Sequence, residues 1–303
     1  MNRRGPFVSI GVPVYNGEAF LQEALNSILS QTYTDFELII SDNASTDRTE
    51  QICRTCASRD TRIRYMRNET NVGAAENYNI VFKASNGRYF KWASHDDVCA
   101  PEFLERCLAV LENEDSTVLC YPTTVIIDEK GKHLRTYQEE IEYLEPAPAE
   151  RLRSWLFRRP GGECNAVFGV IRSSVLAQTH LIGKYMASDL ILLGELVLRG
   201  RVRKISDPLF LRRDHPSTSG RAQHGAEEIL VWFDTSKRGK IHMPKWRWSH
   251  EYIRAIGRVP MGLVEKGRCL ALVTRWFIMI RQQLKTEVLE AAKKIFRRRA
   301  WLA

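Results

Sequence analysis

The first 125 residues alternate short apolar runs with stretches whose apolar positions recur every three or four residues. That alternation predicts strands and helices in turn. Phe7 to Val12 reads as a buried strand, and Phe20, Leu21, Ala24, Leu25, Ile28 and Leu29 then share one helical face. Phe36 to Ile40 is a second strand, Asp47 to Ser58 a helix, Arg62 to Met66 a third strand and Ala74 to Ala84 a third helix. Arg88 to Ala93 reads as a fourth strand. Pro101 suits the first turn of the next helix, where its missing N–H is not needed. Val118 to Tyr121 and Thr124 to Ile127 are further strands. Strands and helices joined by short connections define an α/β fold around a mostly parallel sheet flanked by helices.

The pattern is less regular further on. Glu145 to Glu150 carries two prolines and reads as a loop or linker. Val167 to Ile171 and Val202 to Ile205 read as strands, Lys184 to Leu198 as a helix, and His215 to Gly220 as a polar loop. Near the end Leu284, Val288, Leu289, Ala292, Ile295 and Phe296 form an apolar stripe among Lys285, Lys293, Lys294 and Arg297 to Arg299. This predicts a basic amphipathic helix.

Composition narrows the class. In 303 residues, 44% hydrophobic and 27% charged content is that of an ordinary folded protein. No window of about 18 uninterrupted apolar residues predicts a spanning helix. The nearest, Ala271 to Ile280, contains Thr274 and Arg275. The opening MNRRGPFVSIGVPVYNG has a short apolar run broken by Gly11 and Pro13, without the cleavage pattern of a signal peptide. The expectation is a cytoplasmic protein. Cys53 and Cys56 form a lone CxxC in a helical pattern with no second pair, so reduced, partly buried thiols are expected rather than zinc. The net charge of +9 is uneven: Glu265 to Ala303 holds ten Lys or Arg against three Glu. A basic tail on a nearly neutral body suggests an anionic surface as partner. The tail contains no recognisable nucleic-acid module, so no nucleic acid is expected. Its stripe suits anionic inner-leaflet lipid.

Open parallel sheets bind ligands beyond the carboxyl ends of their strands. The first strand is followed by Pro13-Val-Tyr-Asn-Gly17, the second by Ser41-Asp-Asn-Ala-Ser-Thr-Asp47 and the fourth by Ser94-His-Asp-Asp97. Three acceptor-rich loops on one edge, with adjacent carboxylates in the last, point to a hard cation such as Mg²⁺ or Mn²⁺. Such ions take one or two ligands from protein and the rest from water and phosphate. The competing reading is that Asp96 and Asp97 cap the following helix. Neither GxGxxG nor GxxxxGK[ST] is present, which disfavours a dehydrogenase-type dinucleotide site and a P-loop.

These segments, with Asn71-Val-Gly73 and Asn77, resemble the successive motifs of family 2 glycosyltransferases over roughly residues 6 to 125. The resemblance implies a GT-A-like, Rossmann-type fold, to which the basic amphipathic pattern near the end adds a helical C-terminal extension. It implies a nucleotide-sugar-binding region over 1–125, an acceptor-binding and catalytic region of the same domain over 126–225, and a helical extension over 226–303. The implied activity is inverting transfer of a sugar, by single displacement, from a nucleotide-diphosphate donor. UDP is the default nucleotide, the acceptor is a glycan or lipid-linked hydroxyl, and the product serves cell-surface polysaccharide or glycolipid synthesis.

By the same resemblance Pro13 and Tyr15 lie against the base and Asp42 accepts a hydrogen bond from it. Glu18 and Asn77 are candidate nucleotide contacts, Asp96 a ribose contact and Asp97 the metal ligand. Ser94 stands where the family commonly has a further Asp. Asp189, at a helix start, is the candidate base, and His215, in Arg212-Arg-Asp-His215, a candidate contact to diphosphate or metal. Each has a plainer alternative. Tyr15 is a packed core aromatic, Glu18 and Asp189 serve helix starts, and His215 is a solvated loop residue. Asp47 and Glu50 have capping-box spacing. Two other functions compete: a sugar-nucleotide nucleotidyltransferase, which usually carries a Gly-rich basic signature after its first strand, and a non-catalytic basic binding protein.

Overall fold

The computed structural model of the chain describes residues 7–137, 142–158, 165–216, 226–237 and 240–302. Strands and helices alternate first: β1 (Val8–Val14), α1 (Leu21–Leu29), β2 (Phe36–Asp42), α2 (Thr49–Arg59), β3 (Ile63–Arg67), α3 (Ala74–Lys83) and β4 (Tyr89–Trp92). A two-residue β5 (Val98–Cys99) and α4 (Phe103–Asn113) follow. Next come β6 (Thr117–Ile127), β7 (His133–Thr136), α5 (Pro148–Arg158), β8 (Val170–Arg172), α6 (Ser173–Leu176), α7 (Ser188–Arg199) and β9 (Arg201–Arg213). The last elements are α8 (Ala226–Phe233), α9 (Pro244–Arg258), α10 (Leu263–Met279) and α11 (Arg281–Leu302).

One sheet runs β3-β2-β1-β4-β8-β6-β9-β5, with β7 beside β6. The pairs β1–β2, β1–β4 and β2–β3 are parallel. Strand β8 is antiparallel to both β4 and β6, so β6 runs with β4, and β9 is parallel to β6. Strands β1, β2, β3, β4, β6 and β9 therefore share one direction and present their C-terminal ends on one edge, while β8 and the short β5 and β7 run the other way. Strand β5 follows β4 closely in sequence but pairs with β9 at the other end of the order. Helix α1 also packs on β5. The sheet thus curls, and the 93–97 link crosses its open edge.

The alternation of β1 explains its place. Val8, Ile10, Val12 and Val14 enter one core with α1 and α4. On the other face Gly11 admits α3, since a Cβ there would stand 2.6 Å from Val81. The second core gathers Ile39, Val81, Trp92 and Leu193, together with Tyr252 of α9 and Val273 of α10. Burying each such side chain contributes about 1.5–3 kcal/mol. The C-terminal helices are therefore part of the body.

Several boundaries differ from expectation. The two strands around 118–127 are one, because Pro122 falls where the β6–β9 register shifts. The same irregularity lets β9 continue past Ile205 to Arg213. Pro148 opens helix α5 rather than a linker, the position at which proline costs a helix least. Helix α7 begins at Ser188, after Ala187 at φ 59°. Cys53 and Cys56 are buried free thiols, and burial pushes Cys53 up to about 12.

Candidate active site

The strand ends enclose a cleft of about 1310 Å³, lined among others by Pro13, Tyr15, Asn77, Asp96, Asp97, Asp189 and His215. Its volume exceeds the usual few hundred to about 1,000 Å³ of single-ligand pockets. Seven of the nine residues singled out from sequence thus meet on one wall, across 203 residues of chain from Pro13 to His215.

The β4–β5 link carries the acidic pair. The Asp96 carboxylate accepts from the Ser94 hydroxyl and lies 3.1 Å from His215 Nε2. Burial opposes its ionisation, but the His215 hydrogen bond, the nearby His95 and Ser94 together hold its carboxyl below the usual range. Burial, and then the negative charge of Asp96, push Asp97 well above it. Asp97 Oδ1 accepts the Arg213 N–H at 2.9 Å. Its Oδ2 has no protein hydrogen bond among the described residues, although the residue is only 7% exposed. The pair is therefore not a helix cap; no side chain caps α4. His215 is buried rather than solvated, with its ring 4.8 Å from that of Phe20.

Arg213 holds this corner. Fully buried, it donates from Nε to Asp96 O, from Nη1 to Asp128 O and Glu129 O, and from Nη2 to Glu23. Its guanidinium lies 4.7 Å from the centre of the Phe20 ring. The sequence offered two adjacent arginines and no sign of which one turns inward. Arg212 and Arg135 stand on the cleft wall and bring positive charge to it.

Asp189 lies on the same wall in the first turn of α7 and accepts the Leu190 N–H. The partly buried Tyr78 phenol feels all three carboxylates: burial, then Asp96, Asp97 and Asp189, raise its pKa. Tyr15 is 44% exposed on the wall, not a core aromatic. Asn77 faces the cleft edge, but its amide is occupied by Ser41, Val14 O and Asn68, so it fastens β1 to β2. Glu76 beside it pairs with Lys83 and Lys184.

Two expected contacts are not on the wall. Asp42 is fully buried, accepting from Ser45 N, the Tyr65 hydroxyl and Arg67, so it orders the loop after β2. Its neighbour Asn43 lines the cleft instead. Glu18 accepts from Arg48 N and Nε at the start of α2, where a carboxylate is favoured. Asp47 accepts from Thr49 N and Glu18 N rather than closing a box with Glu50.

Helix α8 supplies a wall that periodicity did not single out, with Ile229, Trp232 and Phe233. It approaches the 71–73 loop closely, since a Cβ on Gly73 (φ 84°) would stand 2.7 Å from Phe233 O. The run Ile229 to Phe233 after a polar stretch was the available signal. Trp232 remains 47% exposed.

A curled, mostly parallel sheet whose β4 end carries paired carboxylates at the mouth of a large cleft defines a GT-A-type fold. The sequence profile of glycosyl transferase family 2 matches residues 9–176, more than half the chain, and the protein belongs to that family. An uncharacterized glycosyltransferase of Rickettsia conorii is 41% identical over 130 residues, covering 42% of this chain and 21% of the relative. One from Rickettsia prowazekii is 36% identical over 143 residues, 47% of this chain and 44% of the relative. The chain thus matches less than half the length of these relatives. Among solved structures, S. aureus TarS 1–349 in complex with UDP-GlcNAc has a TM-score of 0.61 at 16% identity, covering 95% of this chain and 81% of that one. The mannosyltransferase PcManGT from Pyrobaculum calidifontis, in complex with GDP-Man and Mn²⁺, has a TM-score of 0.54 at 15% identity, covering 98% and 76%.

Proposed function

We propose that this glycosyltransferase moves a hexose from a nucleotide-diphosphate donor, with UDP the default nucleotide, to a hydroxyl of a glycan or lipid-linked acceptor, inverting the anomeric centre. The observation that carries the reading is the convergence of Asp97, Asp96, His215 and Asp189 in one cleft with Tyr15. Residues 126–225 and α8 then shape the acceptor side, and the product belongs to the cell envelope.

A divalent ion fits the donor set. Among the described residues no group of three or more His, Cys, Asp or Glu encloses an ion. Asp97 nevertheless brings a second carboxylate oxygen to the cleft wall besides the one that accepts the Arg213 N–H, and Mg²⁺ or Mn²⁺ needs only one or two such ligands beside substrate phosphates. When bound, such an ion stabilises the negative charge of the departing diphosphate. Tyr15 and Pro13 give the base an exposed aromatic and a rigid edge. Asp96, fixed by Ser94 and His215, presents a carboxylate to ribose, and Arg212 and Arg135 face the phosphates. Asp189 takes the proton of the acceptor hydroxyl as that oxygen bonds to the anomeric carbon and the bond to the diphosphate oxygen breaks on the opposite face. One base therefore suffices. A nucleotidyltransferase usually carries a Gly-rich basic loop after its first strand, and Pro13-Val-Tyr-Asn-Gly17 does not match that.

The test joins binding to chemistry. A thermal-shift panel of nucleoside diphosphates and sugar nucleotides, with and without Mn²⁺, should raise the melting temperature with one nucleotide family. With the donor so identified, Asp97→Asn and Asp189→Asn should each lower turnover by about a hundredfold or more, and Asp189→Asn should retain donor binding. No shift with any nucleotide, or release of pyrophosphate instead of nucleoside diphosphate, would overturn the reading.

A further inference from the structure

Helix α10 is apolar on two opposite faces. One turns inward: Cys269 and Val273 are buried, packed with α5 and α9. On the other, Leu263 is 87% exposed, Val264 81%, Leu270 40% and Ile278 56%, and Gly267, Ala271 and Thr274 are exposed as well. Positions i, i+1, i+4, i+7, i+8, i+11 and i+15 fall on a single helical face. That face contains no charge and extends about 23 Å. Arg268 and Arg275 flank it on one side and Lys266 on the other. It is followed by exposed Met279 and by an apolar groove of about 410 Å³ among Trp246, Phe277, Leu284, Val288 and Leu289, bordered by Arg281 and Lys285.

An exposed apolar face of this length marks a contact surface, and charge selects its occupant. The acids of α10 and α11 are engaged. Glu265 accepts from Ala149 N and Arg268, Glu287 from Lys245 N and Trp246 N, and Glu290 from Lys293. The bases outnumber them ten to three. A second copy of the chain would set like charges against one another. A nucleic acid would meet the bases but leave the apolar face without a role. An anionic bilayer answers both features, with apolar side chains at the headgroup–acyl boundary and bases at phosphate. No described helix is long and apolar enough to cross a membrane, so the contact lies in the plane of the surface.

We infer that the outer face of α10, together with the α9–α11 groove, docks on an anionic lipid surface. The basic stripe of α11 expected from sequence contributes less at its start, because Leu284 is buried and Glu287 holds the first turn of α9. The inference deepens the expectation of a membrane partner and is independent of the transfer reaction.

The test is co-sedimentation of the full chain with vesicles of phosphatidylcholine alone or with 30 mol% (about a third) phosphatidylglycerol. Binding is expected on the anionic vesicles and at least about tenfold weaker on neutral ones. Val264→Glu with Ile278→Glu, and separately Arg268→Glu with Arg275→Glu, should each lower partitioning by about tenfold or more. Val264 and Ile278 are exposed, so the melting temperature of the apolar variant should be unchanged, and the arginine variant should lose only the little that the surface Arg268–Glu265 pair and the Arg275–Phe157 contact contribute. Asp97→Asn should bind vesicles like the wild type, so failure of the transfer reading and failure of docking are distinguishable. Docking is overturned if the wild type does not sediment with anionic vesicles or if the apolar pair has no effect. It is also overturned if light scattering shows a dimer that the same substitutions dissolve.

Discussion

Arg213 has the most demanding place of any single side chain in the cleft. Its fork satisfies three main-chain carbonyls from two separate turns, and its own N–H fixes Asp97. Such bonding positions the acidic pair and leaves no face for substrate chemistry. Removing the side chain leaves buried carbonyls unpaired, at about 1–3 kcal/mol for each that water does not reach. Arg213→Met should therefore cost on the order of 3 kcal/mol in urea unfolding and lower turnover with it. Arg213→Lys should rescue neither, because an ammonium on a flexible stem cannot reproduce the fork. Recovery of turnover in the lysine variant would mean that the charge, not the fork, is what matters.

Among the elements, the joint between α4 and β9 shows how the turn that leads from α4 into β6 is fastened to the neighbouring strand. Glu114, just past α4, accepts from Arg203 Nε and Nη2, the shorter at 2.7 Å, and from the Thr117 hydroxyl. The Arg203 hydrogen bond is the main reason its carboxyl lies below the ordinary 4.5. A depressed folded pKa contributes stability that is present above the unfolded value and disappears as pH falls through the folded one. Glu114→Gln should lower the melting temperature at neutral pH, and the gap to wild type should close as pH drops below 4.5. A gap that stays constant through the acid range would place the contribution in packing. Joints of this kind were not legible in the sequence, since Glu114 and Arg203 are 89 residues apart. The early elements were legible because period-two and helical spacing is local, as in Val8 to Val14 and Leu21 to Leu29. The Ser94-His-Asp-Asp97 loop was legible because it follows a buried strand. The places of Asp42 and Glu18 were not legible because a carboxylate after a strand or at a helix start looks the same whether it meets a ligand or a backbone N–H. The place of helix α8 on the cleft wall was missed for the opposite reason: its apolar run faces the cleft and looks like ordinary core.

At the scale of the whole molecule, the basic C-terminal segment is not a detachable tail, and this changes how it can be probed. Cys269 and Val273 sit in the larger core with Tyr252 and Trp155, and Glu265 accepts the Ala149 N–H at the start of α5. Ending the chain after residue 264 would remove that packing along with the membrane face. Loss of vesicle binding would then report unfolding, and such a chain should show no cooperative thermal transition. Among the described side chains, α11 holds the body most firmly at Leu284 to Glu287, where one side chain is buried and the other caps α9. A chain ending after Ala291 keeps those contacts and loses only residues beyond them. It should melt within about 3 °C of the full chain, a shift that corresponds to less than roughly 1–2 kcal/mol at this size. It should also retain donor binding. If the shorter cut melts cooperatively as well, the packing of α10 on α5 and α9 contributes little, and the C-terminal helices are an appendage rather than part of the core.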